Sequence, residues 1–157
     1  MRQLLALLLF AFVAACGFQP VYAPSGGAFV SAGKIEVAPI SGREGHMLRR
    51  ALLQELAAGL PGIEEPVTLT VSLNSNLSRL RLQPDGAASR SSVRANGNYR
   101  LQGSGTNLRG RVEVETGFLV PDSPYGDIAA QTSASDRAMR LLAKQIADDI
   151  RMKLAAS

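Results

Sequence analysis

The sequence predicts an α+β fold in two layers, a four-stranded sheet packed on two helices in the order β-α-β-β-β-α. Three observations carry this. Two segments, one in the first half and one at the end, repeat apolar residues at helical spacing. Between them run three long segments that alternate apolar and polar residues with a period of two. A short alternating stretch precedes the first helix, with Ile35 and Val37 against Lys34 and Glu36, and it ends before Pro39. Two amphipathic helices covering one face of a sheet is the economical way to bury all these apolar stripes together.

Ahead of this domain the chain reads as an export signal. Met1-Arg2-Gln3 is a short positive start, and Leu4 to Val13 is an unbroken apolar run. The run is far shorter than the ~20 residues of a permanent transmembrane helix. Small residues follow it, Ala14 and Ala15, as they do before a signal cleavage point. Val13-Ala14-Ala15-Cys16 resembles the lipobox of bacterial lipoproteins. That resemblance implies removal of residues 1–15. Cys16 would then carry a diacylglycerol on sulfur and an acyl chain, such as palmitate, on its new amine. The competing reading is an ordinary signal with Cys16 as a bystander. Cys16 is the only cysteine, so it has no partner in the chain for a disulfide, and a lone thiol in an oxidising compartment is a liability. Each buried methylene of an acyl chain contributes roughly 0.8 kcal/mol, so several chains anchor a protein firmly. Gly17 is not the Asp often found in lipoproteins retained at the inner membrane, which makes the outer membrane the expected destination.

Removing 15 residues from 157 leaves 142, one domain with enough chain for a core. Residues 16–33 read as the lipidated N-terminus and a tether rich in Gly, Pro, Ser and Ala, and residues 34–157 as the domain. The formal charge is +4, or +3 once Arg2 leaves with the signal. A mild basic excess favours anionic partners without naming one, and nothing in the pattern calls for nucleic acid.

The elements follow in order. Ser41-Gly42-Arg43-Glu44 matches a capping box. Leu48, Leu52, Leu56 and Leu60 then make one stripe of the first helix, which Gly59 and Pro61-Gly62 end. Val67, Leu69, Val71 and Leu73 form the apolar face of the second strand. Leu80 and Leu82 have the opposite phase, which predicts a bulge within residues 74–78. Pro84-Asp85-Gly86 is a turn. Val93, Ala95, Tyr99 and Leu101 form the face of the third strand, and a turn at Gly103-Ser104-Gly105-Thr106-Asn107 follows. Val112, Val114 and Phe118 belong to the fourth strand, with Glu113 and Glu115 outward. Asp122-Ser123-Pro124-Tyr125 reads as a turn, and Ser133 or Ser135 as the cap of the last helix, whose stripe is Met139, Leu142, Ile146, Ile150 and Leu154.

No catalytic or metal-binding constellation emerges, and the chain reads as a non-enzyme without a dissociable cofactor. His46 is the only histidine, so no second His or Cys is available for a metal site, and no Ser nucleophile has a companion His placed to argue a triad. Glu64-Glu65 sits in a connection, and Asp148-Asp149 reads as the solvated side of the last helix. Gly103-Ser104-Gly105 lacks the strand-to-helix context of a phosphate loop.

Cys16-Gly17-Phe18-Gln19-Pro20-Val21-Tyr22 resembles the start of the lipopolysaccharide-assembly lipoprotein family LptE, especially its alphaproteobacterial members. The element order, the mature length and the tail from Tyr125-Gly126-Asp127-Ile128-Ala129-Ala130 into the last helix are similar to that family as well. The resemblance spans essentially the whole mature chain. It implies an outer-membrane lipoprotein that assembles with and plugs the LptD β-barrel, in the machine that inserts lipopolysaccharide into the outer leaflet. The expected partners are therefore an LptD-type barrel, lipopolysaccharide and the outer membrane. A freestanding periplasm-facing lipoprotein that binds an anionic envelope ligand is the alternative.

Two sets of residues are candidates for these contacts. Arg79, Arg81, Arg94 and Arg100 fall on the polar side of the alternation, with Arg90, Arg109 and Arg111 near turns. A guanidinium offers a planar fork suited to phosphate or carboxylate, so this face suits lipid A phosphates or the barrel lumen. A solvated face with ion pairs to Glu113 and Glu115 is the plainer reading. Phe18, Pro20, Val21 and Tyr22, next to the lipid, suit membrane-proximal docking or a passive tether.

Overall fold

The computed structural model describes residues 35–82, 88–103, 105–121 and 123–156, with the side chains at 79–82 and 88–89 outside that description. Six elements follow one another: β1 (Ile35–Val37), α1 (Gly42–Glu55), β2 (Val67–Leu82), β3 (Ala88–Gly103), β4 (Thr106–Leu119) and α2 (Pro124–Ala155). The order is the α+β order that the alternation predicts. The strands form one sheet in the sequence β1-β2-β3-β4. β1 pairs parallel to β2, with Ile35 opposite Val67, and α1 supplies the crossover that a parallel pair requires. β2, β3 and β4 are an antiparallel meander.

Alternation sets the two faces of the meander. One face carries Val67, Leu69, Val71, Val93, Ala95, Tyr99, Leu101, Val114 and Phe118, all buried. Against it lie Leu48, Ala51 and Leu52 of α1 and Met139, Leu142, Ile146 and Ile150 of α2. At ~1.5–3 kcal/mol per large aliphatic side chain, this one cluster supplies most of the drive to fold. Gly97 thins the sheet where α2 crosses it: a Cβ there would stand 3.1 Å from Ile146 Cδ1. The opposite face of the meander is exposed along Thr68, Thr70, Ser72 and Asn74, and again along Arg109, Arg111, Glu113 and Glu115.

Several boundaries differ from the sequence expectation. Ser41 occupies the N-cap of α1 but makes no side-chain cap. Gly42 follows with φ +84°, outside the helical region, so the third N–H is not presented to the serine as a capping box needs. Instead Gly45 packs under the Ile40 carbonyl, where a Cβ would stand at 2.6 Å. α1 ends at Glu55, and Leu56 and Leu60 reach the core from the turns beyond it. The bulge expected within 74–78 lies further on. The β2–β3 ladder runs without a break from Thr68–Gln102 to Arg79–Ser91 and slips between Arg79 and Leu82. Leu73 and Leu77 thus keep the phase of Val67, although Leu77 is 45% exposed.

α2 begins at Pro124, not near Ser133. Ser123 is its N-cap, with Oγ accepting the Gly126 N–H at 3.1 Å, and Pro124 sits in the first turn, where its missing N–H costs nothing. Ser133 is internal and accepts from Arg137. The segment read as a turn is the start of a helix of 32 residues, ~48 Å long. Its first turns project past the core and leave Tyr125 and Ile128 exposed. Among the described residues no helix is long and apolar enough to cross a membrane. Cys16, Phe18, Pro20, Val21, Tyr22 and the Pro84-Asp85-Gly86 turn lie outside the described residues.

Candidate functional site

The open face of the meander carries the ionic groups, and strand register decides which of them meet. Arg94 of β3 lies directly opposite Glu115 of β4. Its Nη2 donates to Glu115 at 3.0 Å, and its Nε lies 3.6 Å from Glu113. Ser92 Oγ donates to the other oxygen of Glu115 at 2.6 Å. Ser92 is only 1% exposed in an otherwise wet row. These contacts hold the Glu115 carboxyl below its ordinary range, through the hydrogen bond from Ser92 first and that from Arg94 second. Arg94 is pushed up in turn by its bond to Glu115. This corner matches the plain expectation of ion pairs to the two glutamates.

Nearer the other end of the same strands the arrangement changes sign. Arg100 lies opposite Arg109, and Arg111 is the next residue of that row of β4. Arg111 has one carboxylate within reach, Glu113 at 4.0 Å. Arg100 and Arg109 make no ion pair among the described residues. Three guanidinium groups therefore share a face that is wet and open, which suits a phosphate-bearing partner.

The four arginines singled out by alternation are not one cluster. Arg94 and Arg100 share a row of β3 but stand about 20 Å apart, six residues at ~3.4 Å each. Arg81 pairs with Arg90, beyond the bulge. Arg79 pairs with Ser91, a buried position of the helix-facing row, so its backbone register places it on the other face. The phase slip after Arg79, rather than before it, is the physical reason. Arg109 and Arg111, expected near a turn, stand within β4 and complete the cluster with Arg100. Arg90 belongs to β3 and borders a depression of about 460 Å³ with Ser92, Glu115, Gly117, Phe118 and the exposed Leu119.

A second polar group ties the layers together. Tyr99 Oη donates to Asp149 at 2.5 Å, and Lys153 Nζ donates to Asp149 at 2.8 Å, to Tyr99 at 2.9 Å and to the Arg109 carbonyl at 3.0 Å. Burial and the bond to Asp149 push the Tyr99 phenol up. Burial opposes ionisation of Asp149, yet the bonds from Lys153 and Tyr99 outweigh it and hold the carboxyl low. Asp149 is thus not on the solvated side of α2. Asp148 is, paired with Lys144 and Arg151. The ring of Tyr99 needs Gly110 opposite it, where a Cβ would stand 2.6 Å from the ring. This group is a clasp between α2 and the β3–β4 hairpin. His46 is exposed on α1, and no group of side chains among the described residues is arranged to hold a metal.

Similar structures share this architecture. A crystal structure of a lipoprotein from Caulobacter crescentus superposes with a TM-score of 0.63 at 28% identity, covering 83% of this chain and 97% of that one. Lipoprotein B from Nitrosomonas europaea superposes at 0.57 with 14% identity, covering 89% and 94%. The rare lipoprotein B from Shewanella oneidensis does so at 0.50 with 14% identity, covering 78% and 92%. At such identities the last two show the fold alone. No curated protein matches the sequence. The model of the family LptE, lipopolysaccharide-assembly, matches residues 32–154. The chain therefore belongs to the LptE lipopolysaccharide-assembly family.

Proposed function

We propose that this chain is an outer-membrane lipoprotein, anchored through acyl chains on Cys16, that assembles with and plugs an LptD-type β-barrel during lipopolysaccharide insertion. The family match over residues 32–154 carries the reading. Export and lipidation rest on the signal pattern of residues 1–15 ahead of Cys16. On this reading Phe18, Pro20 and Tyr22 dock near the membrane, and the protein works by binding alone, without catalysis.

Within that role the cluster of Arg100, Arg109 and Arg111 is the surface for the phosphates of lipopolysaccharide, with Arg94 held in reserve by its glutamates. Arg100 and Arg109, without ion pairs among the described residues, bind phosphate without first breaking one. Affinity purification of the tagged full chain from its native outer membrane tests the role. A roughly stoichiometric large barrel in the eluate is the expected result. Recovery of the lipoprotein alone, under conditions that keep other barrel complexes whole, overturns the plug role in favour of a freestanding ligand-binding lipoprotein.

A further inference from the structure

α1 keeps its charges of opposite sign on different sides. Arg43, His46 and Arg50 recur at helical spacing and, with Leu53 and Gln54, make an exposed outer face. Arg49 stands on one flank, where its Nε donates to the Val37 carbonyl at 3.0 Å. Glu44 and Glu55 take the other flank, toward α2: Glu44 shares a cleft with Thr132 and Ser135, and Glu55 acts on Lys144. Leu48, Ala51 and Leu52 fill the buried side. Along the outer face runs a shallow depression of about 670 Å³, lined by Arg43, His46, Met47, Arg49, Arg50 and Leu53 and by no acid. From this arrangement we infer that the outer face of α1 is a docking surface for an anionic phospholipid bilayer.

The other helix shows what a solvated face looks like in this protein. On α2, Arg140 pairs with Asp136, Lys144 with Asp148 and Arg151 with Asp148, so the signs are mixed and neutralised locally. Arg43 and Arg50 make no ion pair among the described residues. Their guanidinium groups are left for an anion from outside the chain. A helix with a basic face and apolar side chains beside it lies well in the headgroup region of a bilayer, where phosphates meet the cations. Met47 is half-buried and Leu53 is 42% exposed on the same face, and each can enter that region beside the arginine stems. The face is open and shallow, so it suits a fluid array of headgroups that rearranges around long side chains.

Chain length puts a membrane within reach. Residues 17–34 separate Cys16 from Ile35, and that stretch can span at most ~60 Å. The reach exceeds the ~48 Å of α2, so the head can turn any of its faces toward a bilayer that holds Cys16. Attachment at Cys16 also makes a weak surface contact intramolecular, which raises its occupancy without any new bond. The buried side of α1 packs on the helix-facing side of the sheet. Its outer face therefore points away from the open strand face, and docking by α1 leaves Arg100, Arg109 and Arg111 free for their own partner. The inference takes the position of the bilayer from the anchored reading and needs nothing from the barrel reading.

The test reconstitutes the full chain into vesicles of phosphatidylcholine alone, or of phosphatidylcholine and phosphatidylglycerol in equal parts. An environment-sensitive fluorophore on Gln54→Cys reports the outer face of α1, and mass spectrometry locates the label. Flotation reports the anchor, and quenching by acrylamide reports docking. The chain should float with both kinds of vesicle, and quenching should fall at least twofold in the anionic ones. High salt should reverse that fall, since it screens charge. Arg43→Glu with Arg50→Glu should abolish it, with the fold retained by circular dichroism. Arg43→Lys with Arg50→Lys should preserve it, because a fluid surface reads charge rather than the guanidinium fork. Equal quenching in the two kinds of vesicle, or protection that survives the charge reversal, overturns the docking surface alone. Flotation with neither overturns docking and anchor together, and flotation with the anionic vesicles only keeps the docking and overturns the anchor.

Discussion

Arg100 and Arg109 face each other across the β3–β4 ladder, and neither has a carboxylate to neutralise it among the described residues. A like-charge pair directly opposite costs ~0.2–1 kcal/mol, and the chain carries that cost on its open face. The glutamates that would cancel it stand four and six residues further along β4, engaged with Arg94. The separation of sign along one strand is the main electrostatic fact of this surface.

Folding and binding should therefore respond oppositely at Arg100. Arg100→Glu replaces a repulsive pair by an attractive one and is expected to raise the melting temperature by a few degrees, consistent with roughly 1 kcal/mol or less. The same variant should bind lipopolysaccharide more weakly than wild type, as read by a pull-down or by fluorescence displacement. A lower melting temperature would show that the two arginines do not repel, and undiminished binding would remove Arg100 from the phosphate surface.

Gly110→Ala should be among the costlier single-methyl changes in the sheet. The new Cβ would meet the ring of Tyr99, which is 3% exposed and has no room to withdraw. Overpacking of this kind costs about 1–3 kcal/mol. Tyr99→Phe relieves no clash but removes the hydroxyl that Asp149 and Lys153 share, with an expected loss of ~1–2 kcal/mol. Chemical denaturation of both variants measures this, and wild-type stability in either would mean that the clasp is not as tight as its distances imply.

The low carboxyls give a pH dependence with a definite sign. Asp149, Asp148 and Glu115 are all held below their ordinary values in the folded chain. Their stabilisation is present in full above the ordinary carboxylate range and is lost as pH falls through and below it. Melting temperature should thus drop on acidification below about pH 4, the ordinary range of these groups. Asp149→Asn, less stable at neutral pH, should show a shallower drop. Parallel pH profiles for the two proteins would exclude Asp149 as a contributor.

Ser123→Ala removes the cap of α2, for which ~1 kcal/mol is usual. The first turns of that helix stand clear of the core, so the loss should register locally. Hydrogen exchange should quicken in residues 126–131 while the melting temperature stays close to wild type. A uniform acceleration along all of α2 would mean that the helix unfolds as one unit from its capped end.

The strands were legible because burial on one face imposes a period of two that no turn disturbs; Tyr99 and Leu101 could be assigned to the core from alternation alone. The start of α2 was not, because Asp122-Ser123-Pro124-Tyr125 carries turn residues that are equally the residues of a helix N-terminus. Asp127 in the first turn was the signal that could have separated the two. The arginine cluster was half legible. Alternation gave the face of Arg94 and Arg100, but the partners of Arg100 depend on β4 beginning at Thr106 and on register, which side-chain pattern does not encode. Asp149 and Lys153 stand at a helical ion-pair spacing. Their third member, Tyr99, is 50 residues from Asp149 and joins only through the fold.

The meander has a kinetic consequence. β2, β3 and β4 pair antiparallel in succession, so two short closures assemble most of the sheet. β1 must instead wait for the whole of α1 to pass before Ile35 meets Val67. Long closures carry the greater entropic cost and come late. The strand nearest the N-terminus, and with it the attachment of everything upstream, should be the last part of the sheet to become fixed. Under the anchored reading proposed above, docking of the head would precede tightening of the neck.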